Sequence, residues 1–168
     1  KLINNASSEV TITLLDGLQN ILPSGVDPDL QNASSNLVDA YKKSELQKEV
    51  GLGIYALSAI IVDKAEPSEA LKANVVWSTG LDSPTHLLSS RQLIAFRNGE
   101  PLLEEVDVKG EKGAYLLHQE ITLPANEKKS WTIVADVNKD HAAVARLIHD
   151  LQFEANLEEQ LASDVSRG

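Results

Sequence analysis

The chain has 168 residues, of which 15 are lysine or arginine and 25 are aspartate or glutamate, so its formal net charge is −10. This length suits one domain that buries a core of its own, and the absence of cysteine excludes disulfide frameworks, zinc–thiolate sites and cysteine nucleophiles. The acidic balance without a basic cluster argues against nucleic acid and anionic membranes as partners, and no apolar run reaches the roughly 18 residues of a spanning helix.

The sequence contains no methionine and opens at Lys1 without a signal-peptide pattern. Because a complete reading frame starts with methionine, we expect a segment of a longer protein or a processed product. A cysteine-free domain suits either side of a membrane, so the compartment stays open, with the cytoplasm favoured.

An opening strand is predicted within residues 2–22. Branched and leucine side chains alternate there with threonine, which is typical of a half-buried strand. The alternating residues are Val10, Thr11, Ile12, Thr13 and Leu14. Asp16-Gly17 predicts a turn or bulge after them.

The next segment changes to a helical period. We predict a helix near 34–48 that is capped by Ser34 or Ser35. Its apolar face would carry Leu37, Val38 and Tyr41, and its outer face would carry Lys42, Lys43 and Glu45.

Residues 52–63 are almost uniformly apolar, which predicts a strand covered on both faces, as in the centre of a sandwich. A second strand is predicted over 71–78, with alternate residues from Leu71 to Trp77 on one side. The short polar loop between the two segments predicts an antiparallel pair.

A short helix is predicted over 89–97, capped by Ser89 or Ser90 and ending at Asn98-Gly99.

Three segments with extended patterns follow this short helix. Residues 100–108 are acidic and predicted to be exposed, whereas residues 114–123 and 131–137 are predicted strands.

The last part of the chain predicts a long helix over about 139–162, with Asn138 or Asp140 as its cap. At about 100° per residue its apolar side chains fall on two stripes rotated by roughly a third of a turn. The first stripe is Val144, Leu147, Ile148 and Leu151, and the second is Phe153, Leu157, Leu161 and Val165. Such a helix either touches two different bodies along its length or breaks near Phe153. We expect residues 153–165 to be exposed, mobile or packed on a neighbouring molecule.

No motif identifies a catalytic or metal centre. The sequence has no G-x-S-x-G nucleophile motif and no phosphate-binding loop. His141 and His149 would lie about 12 Å apart along a helix and could not share one metal. His86 and His118 have no second ligand within sequence reach, so both are interpreted as structural. We expect no cofactor, no metal site and no catalytic residue in this chain.

The stretch Leu87–Arg97 is unusual in so acidic a chain, because its arginines must pair with acids or meet an anionic or hydroxyl-rich ligand. Arg91, Gln92 and Arg97 are therefore the candidate substrate-binding residues. The competing interpretation is ion pairing with acidic segments such as 104–107.

Three passages resemble the cellobiose phosphorylase-like carbohydrate-active enzymes, a group that includes relatives of cyclic β-glucan synthase. They are LLDGLQNILP at 14–23, the predicted strand pair within 51–77, and the ITLPA and WTIVAD segments within 121–136.

The resemblance implies a mainly β fold with helices, an antiparallel β-sandwich of the supersandwich, galactose mutarotase-like type. Residues 1–137 would form this sandwich, and residues 138–168 would be a linker helix leading to an (α/α)₆ barrel.

In that group the catalytic residues belong to the barrel, so none is carried over to this chain, and whether the chain itself is an enzyme stays open. The implied role is that of a non-catalytic segment of a glycoside phosphorylase or hydrolase, with the barrel as partner. A homodimer and an oligosaccharide are further partners left open. The alternative is a stand-alone carbohydrate-binding or protein-interaction module, which the 4% aromatic content disfavours.

Overall fold

The structure is a computed structural model that describes residues 1–58, 72–154 and 157–167. The part of the predicted central strand beyond residue 58, and Leu71, lie outside the described residues. The elements in chain order are β1 (Leu2–Ile3), β2 (Val10–Ile21), α1 (Pro28–Ala33), α2 (Ser35–Tyr41), β3 (Lys42–Gln47), β4 (Leu52–Leu57), β5 (Lys72–Thr79), β6 (Thr85–Leu87), α3 (Leu93–Arg97), β7 (Asp107–Lys109), β8 (Gly113–Leu123), β9 (Lys128–Lys129), β10 (Thr132–Asp140), α4 (His141–Phe153) and α5 (Leu157–Arg167).

The larger sheet has the strand order β10-β5-β4-β3-β7, and all its pairs are antiparallel. The predicted pairing of the two central strands is confirmed, with Ile54 opposite Val75. One face of this sheet meets the smaller sheet and the other meets α4 and α5. The predicted double coverage of the apolar strand is therefore confirmed for its described part, β4.

The smaller sheet has the order β2-β8-β6, also antiparallel. Its inner face contributes Tyr115 and Leu117 to the main core, opposite Tyr55 and Val76 of the larger sheet. The Tyr55 hydroxyl donates to the backbone oxygen of Ala114 at 2.7 Å, which ties the two sheets together. The fold is thus mainly β with helices, an antiparallel sandwich, as predicted. A third, two-stranded sheet pairs β1 with β9.

The predicted turn or bulge at Asp16-Gly17 is wrong in its position, because β2 continues through both residues and its pairing with β8 shifts only between Gln19 and Ile21. Gly17 is required for another reason. A Cβ at residue 17 would lie 2.8 Å from the Cα of Leu116 and even closer to the backbone oxygen of Tyr115. The glycine lets β2 lie against β8.

The predicted helix near 34–48 is also wrong in its second half. Helix α2 ends at Tyr41, and Lys42 begins a strand whose residues are alternately buried and half-buried. Ser34 is the cap residue, although its side chain makes no capping hydrogen bond. The strand forms because β3 pairs with both β4 and β7, and such pairing outweighs a weak local helix preference.

The predicted helix over 89–97 is shorter than expected. Helix α3 begins at Leu93, with Gln92 as its cap residue in place of Ser89 or Ser90, and it ends at Arg97, with Asn98 as the C-cap residue at the predicted end. Gly99 follows with a φ of 71°, the left-handed conformation typical of a helix end.

The predicted exposure of segment 100–108 is wrong at its end. Val108 lies in β7 and is 4% exposed, as part of the main core. Leu102 packs on the outer face of the smaller sheet.

The prediction of a single C-terminal helix is wrong, and the alternative prediction, a break near Phe153, is confirmed. Asp140 caps α4 as predicted, with Oδ1 accepting from the Ala143 amide at 2.8 Å.

Both apolar stripes of the C-terminal segment reach one sheet face. The whole first stripe, and Leu157 and Leu161 of the second, pack against Leu52, Val75 and Trp77. Phe153 and Val165 stay exposed, so the expectation for 153–165 is confirmed at those two residues and wrong at the two leucines. Within the described ranges, neither these helices nor any other is long and apolar enough to cross a bilayer.

Candidate functional site

A cleft of about 630 Å³ lies where three connections of the sandwich come together. Its walls are the β3–β4 turn at 48–51, the β5–β6 connection at 81–84 and the segment 102–104, with Leu151 of α4 beside them. This volume is in the range of small-molecule sites. Because each wall comes from a different part of the chain, no local motif marks the cleft in the sequence.

His86 of β6 is the central side chain of the cleft. Its side chain is 10% exposed, and its ring centroid lies 5.6 Å from that of Tyr115. Gly51 allows this placement, because a Cβ at residue 51 would lie 2.7 Å from Nε2 of the imidazole. Within the described chain no hydrogen bond within 3.5 Å reaches either ring nitrogen, and the carboxylate of Glu104 stands 3.7 Å from Nδ1.

The imidazole is therefore held in its neutral form. Burial lowers the pKa of His86 from its ordinary value of 6.5, and the negative charge of Glu104 opposes this only in part. A neutral imidazole has one nitrogen that donates and one that accepts. In the described chain neither nitrogen has a hydrogen-bond partner within 3.5 Å, but Nδ1 already faces the carboxylate of Glu104.

Glu104 also pairs with a lysine at the rim. Its Oε2 lies 2.9 Å from the Nζ of Lys48, whose side chain is 52% exposed. Glu49 lines the cleft as well. With His86 neutral, one lysine and two glutamates give the lining a net charge of −1.

Two hydroxyl groups are bonded to each other and to the wall of the cleft. The Tyr115 hydroxyl donates to the backbone oxygen of Gly51 at 2.6 Å and lies 3.3 Å from Oγ of Ser78. Burial raises the pKa of Tyr115 to about 12, against the opposing effect of the Ser78 hydrogen bond, so the phenol stays protonated. Because a phenol has a single proton, Ser78 must donate to Tyr115, and its own oxygen remains an acceptor.

The arrangement can bind and orient a polar molecule. A nucleophile–base pair requires a hydroxyl within hydrogen-bond reach of the imidazole, and the described residues hold no hydroxyl bonded to His86. Nor do the described ranges contain a cluster of three or more histidine, aspartate or glutamate side chains that could hold a metal ion.

The residues predicted to bind substrate lie outside this cleft. Arg91 forms an ion pair with Glu111, so it pairs with an acidic side chain as the competing interpretation expects, but the partner lies outside segment 104–107. Arg97 is exposed in the last turn of α3, and in the part of the chain that the structure describes its side chain makes no hydrogen bond or ion pair.

Gln92 has its amide engaged within the chain. Its Nε2 donates to the Leu103 carbonyl at 2.8 Å and to Glu105 at 2.9 Å, and its Oε1 accepts from the Leu103 amide. The substrate-binding role of Arg91, Gln92 and Arg97 stays a prediction.

No protein-family profile matches the sequence, and a search of curated proteins found no match.

Proposed function

We propose that this chain is the non-catalytic β-sandwich segment of a larger carbohydrate-active enzyme of the glycoside phosphorylase or hydrolase type. In this role it supports a catalytic (α/α)₆ barrel that lies outside the chain. The proposal starts from the resemblance of the three sequence passages and depends on what the residues of those passages do in the fold.

The observation that carries the proposal is that the three passages are bonded to one another. Trp131 of the third passage donates from Nε1 to Oδ2 of Asp16 in the first, at 2.7 Å. Asn74 of the second donates to the backbone oxygen of Leu22 in the first, at 2.8 Å. The residues that carry the resemblance thus hold the two sheets together, as expected of a scaffold.

The test compares this chain with the longer protein that the proposal requires. We expect the chain alone to release neither glucose from β-glucosides nor glucose 1-phosphate in the presence of phosphate. The reading frame around residues 1 and 168 should encode a helix-rich region with paired carboxylates, and the protein that includes it should catalyse one of these reactions. Turnover by the purified chain, or a frame without such a region, would overturn the proposal.

A stand-alone binding module is the second candidate, and the packing of α4 and α5 favours it. Most of both apolar stripes is covered by the chain's own sheet, so less of this surface is left for a barrel. The same reading frame separates the two candidates, because a module with no helical neighbour fits only the second.

A further inference from the structure

We infer that the cleft around His86 binds a small neutral polyhydroxylated compound, a monosaccharide or a polyol. This inference goes beyond the proposed scaffold role and holds whether or not the chain supports a barrel. It depends on the charge of the cleft, on its hydrogen-bonding groups and on its apolar wall.

The charge of the cleft disfavours anionic ligands. Glu104 and Glu49 outnumber Lys48, and the neutral imidazole adds no positive charge. Lys48 is already paired with Glu104 at 2.9 Å, so a phosphate or carboxylate would have to break that pair and approach two carboxylates. A neutral molecule meets neither obstacle.

The hydrogen-bonding groups of the cleft include both donors and acceptors. His86 offers one of each, Glu104 accepts, Lys48 donates, and the Ser78 oxygen accepts because its proton is directed to Tyr115. A hydroxyl group both donates and accepts, so adjacent hydroxyls on one ligand would satisfy this mixture.

The remaining wall is apolar. Leu81, Pro84 and Leu151 line the cleft together with these polar groups. The carbon-bound hydrogens of a sugar ring or a cyclic polyol would lie against them, while the hydroxyls face His86 and Glu104. The described lining contains no tryptophan or phenylalanine on which a ring could stack, so the affinity should be modest.

Titration of the ¹⁵N-labelled chain with D-glucose and with myo-inositol tests the inference. We expect saturable shifts of the Gly51, Ser78 and His86 amides with at least one of these probes, and a dissociation constant on the order of 1 mM. D-Glucuronate, which replaces one hydroxymethyl by a carboxylate, should bind at least ten-fold more weakly than D-glucose. Absence of saturable shifts at these amides up to about 100 mM of both neutral probes would overturn the inference.

Three variants locate the binding without endangering the fold. Lys48→Met should weaken binding of the neutral probe at least three-fold, whereas Lys128→Met, an exposed lysine of β9 outside the cleft, should leave it unchanged. Glu104→Gln should reduce the preference for glucose over glucuronate. Equal effects of the two lysine variants, or tighter binding of glucuronate than of glucose by the unmodified chain, would refute the assignment.

Discussion

The buried lysine of β3 gives the sharpest stability prediction. The side chain of Lys42 is 2% exposed, and its Nζ donates to Oε1 of Gln31 at 2.5 Å and to Oδ1 of Asp39 at 2.7 Å. These bonds join β3 to both α1 and α2. Lys42→Met keeps most of the buried stem but removes the ammonium, so it isolates the contribution of the two bonds.

The loss of stability follows from the hydrogen bond that each partner of Lys42 loses. Gln31 is buried, and leaving its oxygen without a donor costs about 1–3 kcal/mol. Asp39 is 27% exposed and recovers part of its hydration, so the loss stays below the roughly 3–5 kcal/mol of a fully buried pair. We expect Lys42→Met to lower the free energy of unfolding by about 2 kcal/mol, a shift of about 1 M in the urea midpoint.

The pH dependence of this loss has a defined sign. Burial raises the pKa of Asp39, but the hydrogen bonds from Lys42 and Gln31 and the charge of Lys42 outweigh it, so the pKa lies below its ordinary value of 3.8. A carboxyl whose pKa is depressed by folding stabilises the fold above the unfolded pKa, and this stabilisation is lost as the pH falls through the folded value. The difference between wild type and Lys42→Met should therefore be full at pH 7 and shrink below about pH 4.

Urea unfolding followed by circular dichroism at pH 7 and at pH 3.5 measures both effects. Lys43→Met is the matched control, because it is the next residue of the same strand and its side chain is 31% exposed in a surface pair with Glu45. This control should change the free energy of unfolding by no more than about 0.5 kcal/mol. Equal midpoints for the two variants at pH 7 would show that the Lys42 bonds do not stabilise the fold.

Three further substitutions test close packing, an internal carboxylate and the imidazole. Gly17→Ala should destabilise by about 3 kcal/mol in urea unfolding because its Cβ would collide with β8, whereas Gly25→Ala, with no atom within 4 Å of its Cβ, should cost only about 1 kcal/mol of backbone strain. Glu105→Gln should cost about 2 kcal/mol, since its carboxylate accepts three hydrogen bonds from the segment before α3, and the exposed Glu100→Gln should be near neutral in the same assay. Because burial lowers the pKa of His86, wild-type stability should fall as the pH drops from about 6.5 towards the folded pKa, and thermal unfolding of His86→Gln should lack this component.

The strands were the most predictable part of the fold. Segment 131–137 largely alternates apolar and polar residues and becomes β10, and the mostly apolar segment 114–123 becomes β8, each with small changes of boundary. Alternation reports burial on one face and needs no knowledge of the partner strand. The prediction that Lys42 lies on the outer face of a helix failed because it depended on partners that are distant in the fold. A lysine is expected to be exposed to solvent unless the buried groups that pair with it are known.

The site could not be predicted because its residues meet only in the folded chain. The sequence favours a structural interpretation of His86, because Glu104 lies 18 positions after it and Lys48 lies 38 positions before it. The folded order of the strands brings the β3–β4 turn next to β6. Arg91 shows the same limit, since its charge predicted an acidic partner but the partner is Glu111 in place of segment 104–107.

The two C-terminal helices determine how a barrel could contact this sandwich. The rotated apolar stripes required either two bodies or a break, and the break after Phe153 lets most of both stripes cover one face of the larger sheet. Among the apolar residues of the two stripes, Phe153 and Val165 keep more than half of their surface exposed, at 67% and 74%. A barrel that docks along these helices would therefore meet Phe153 and Val165 among exposed polar and alanine side chains. Because stable interfaces bury a larger apolar centre than two such side chains provide, the covalent link of the proposed function would have to contribute to holding the two bodies together.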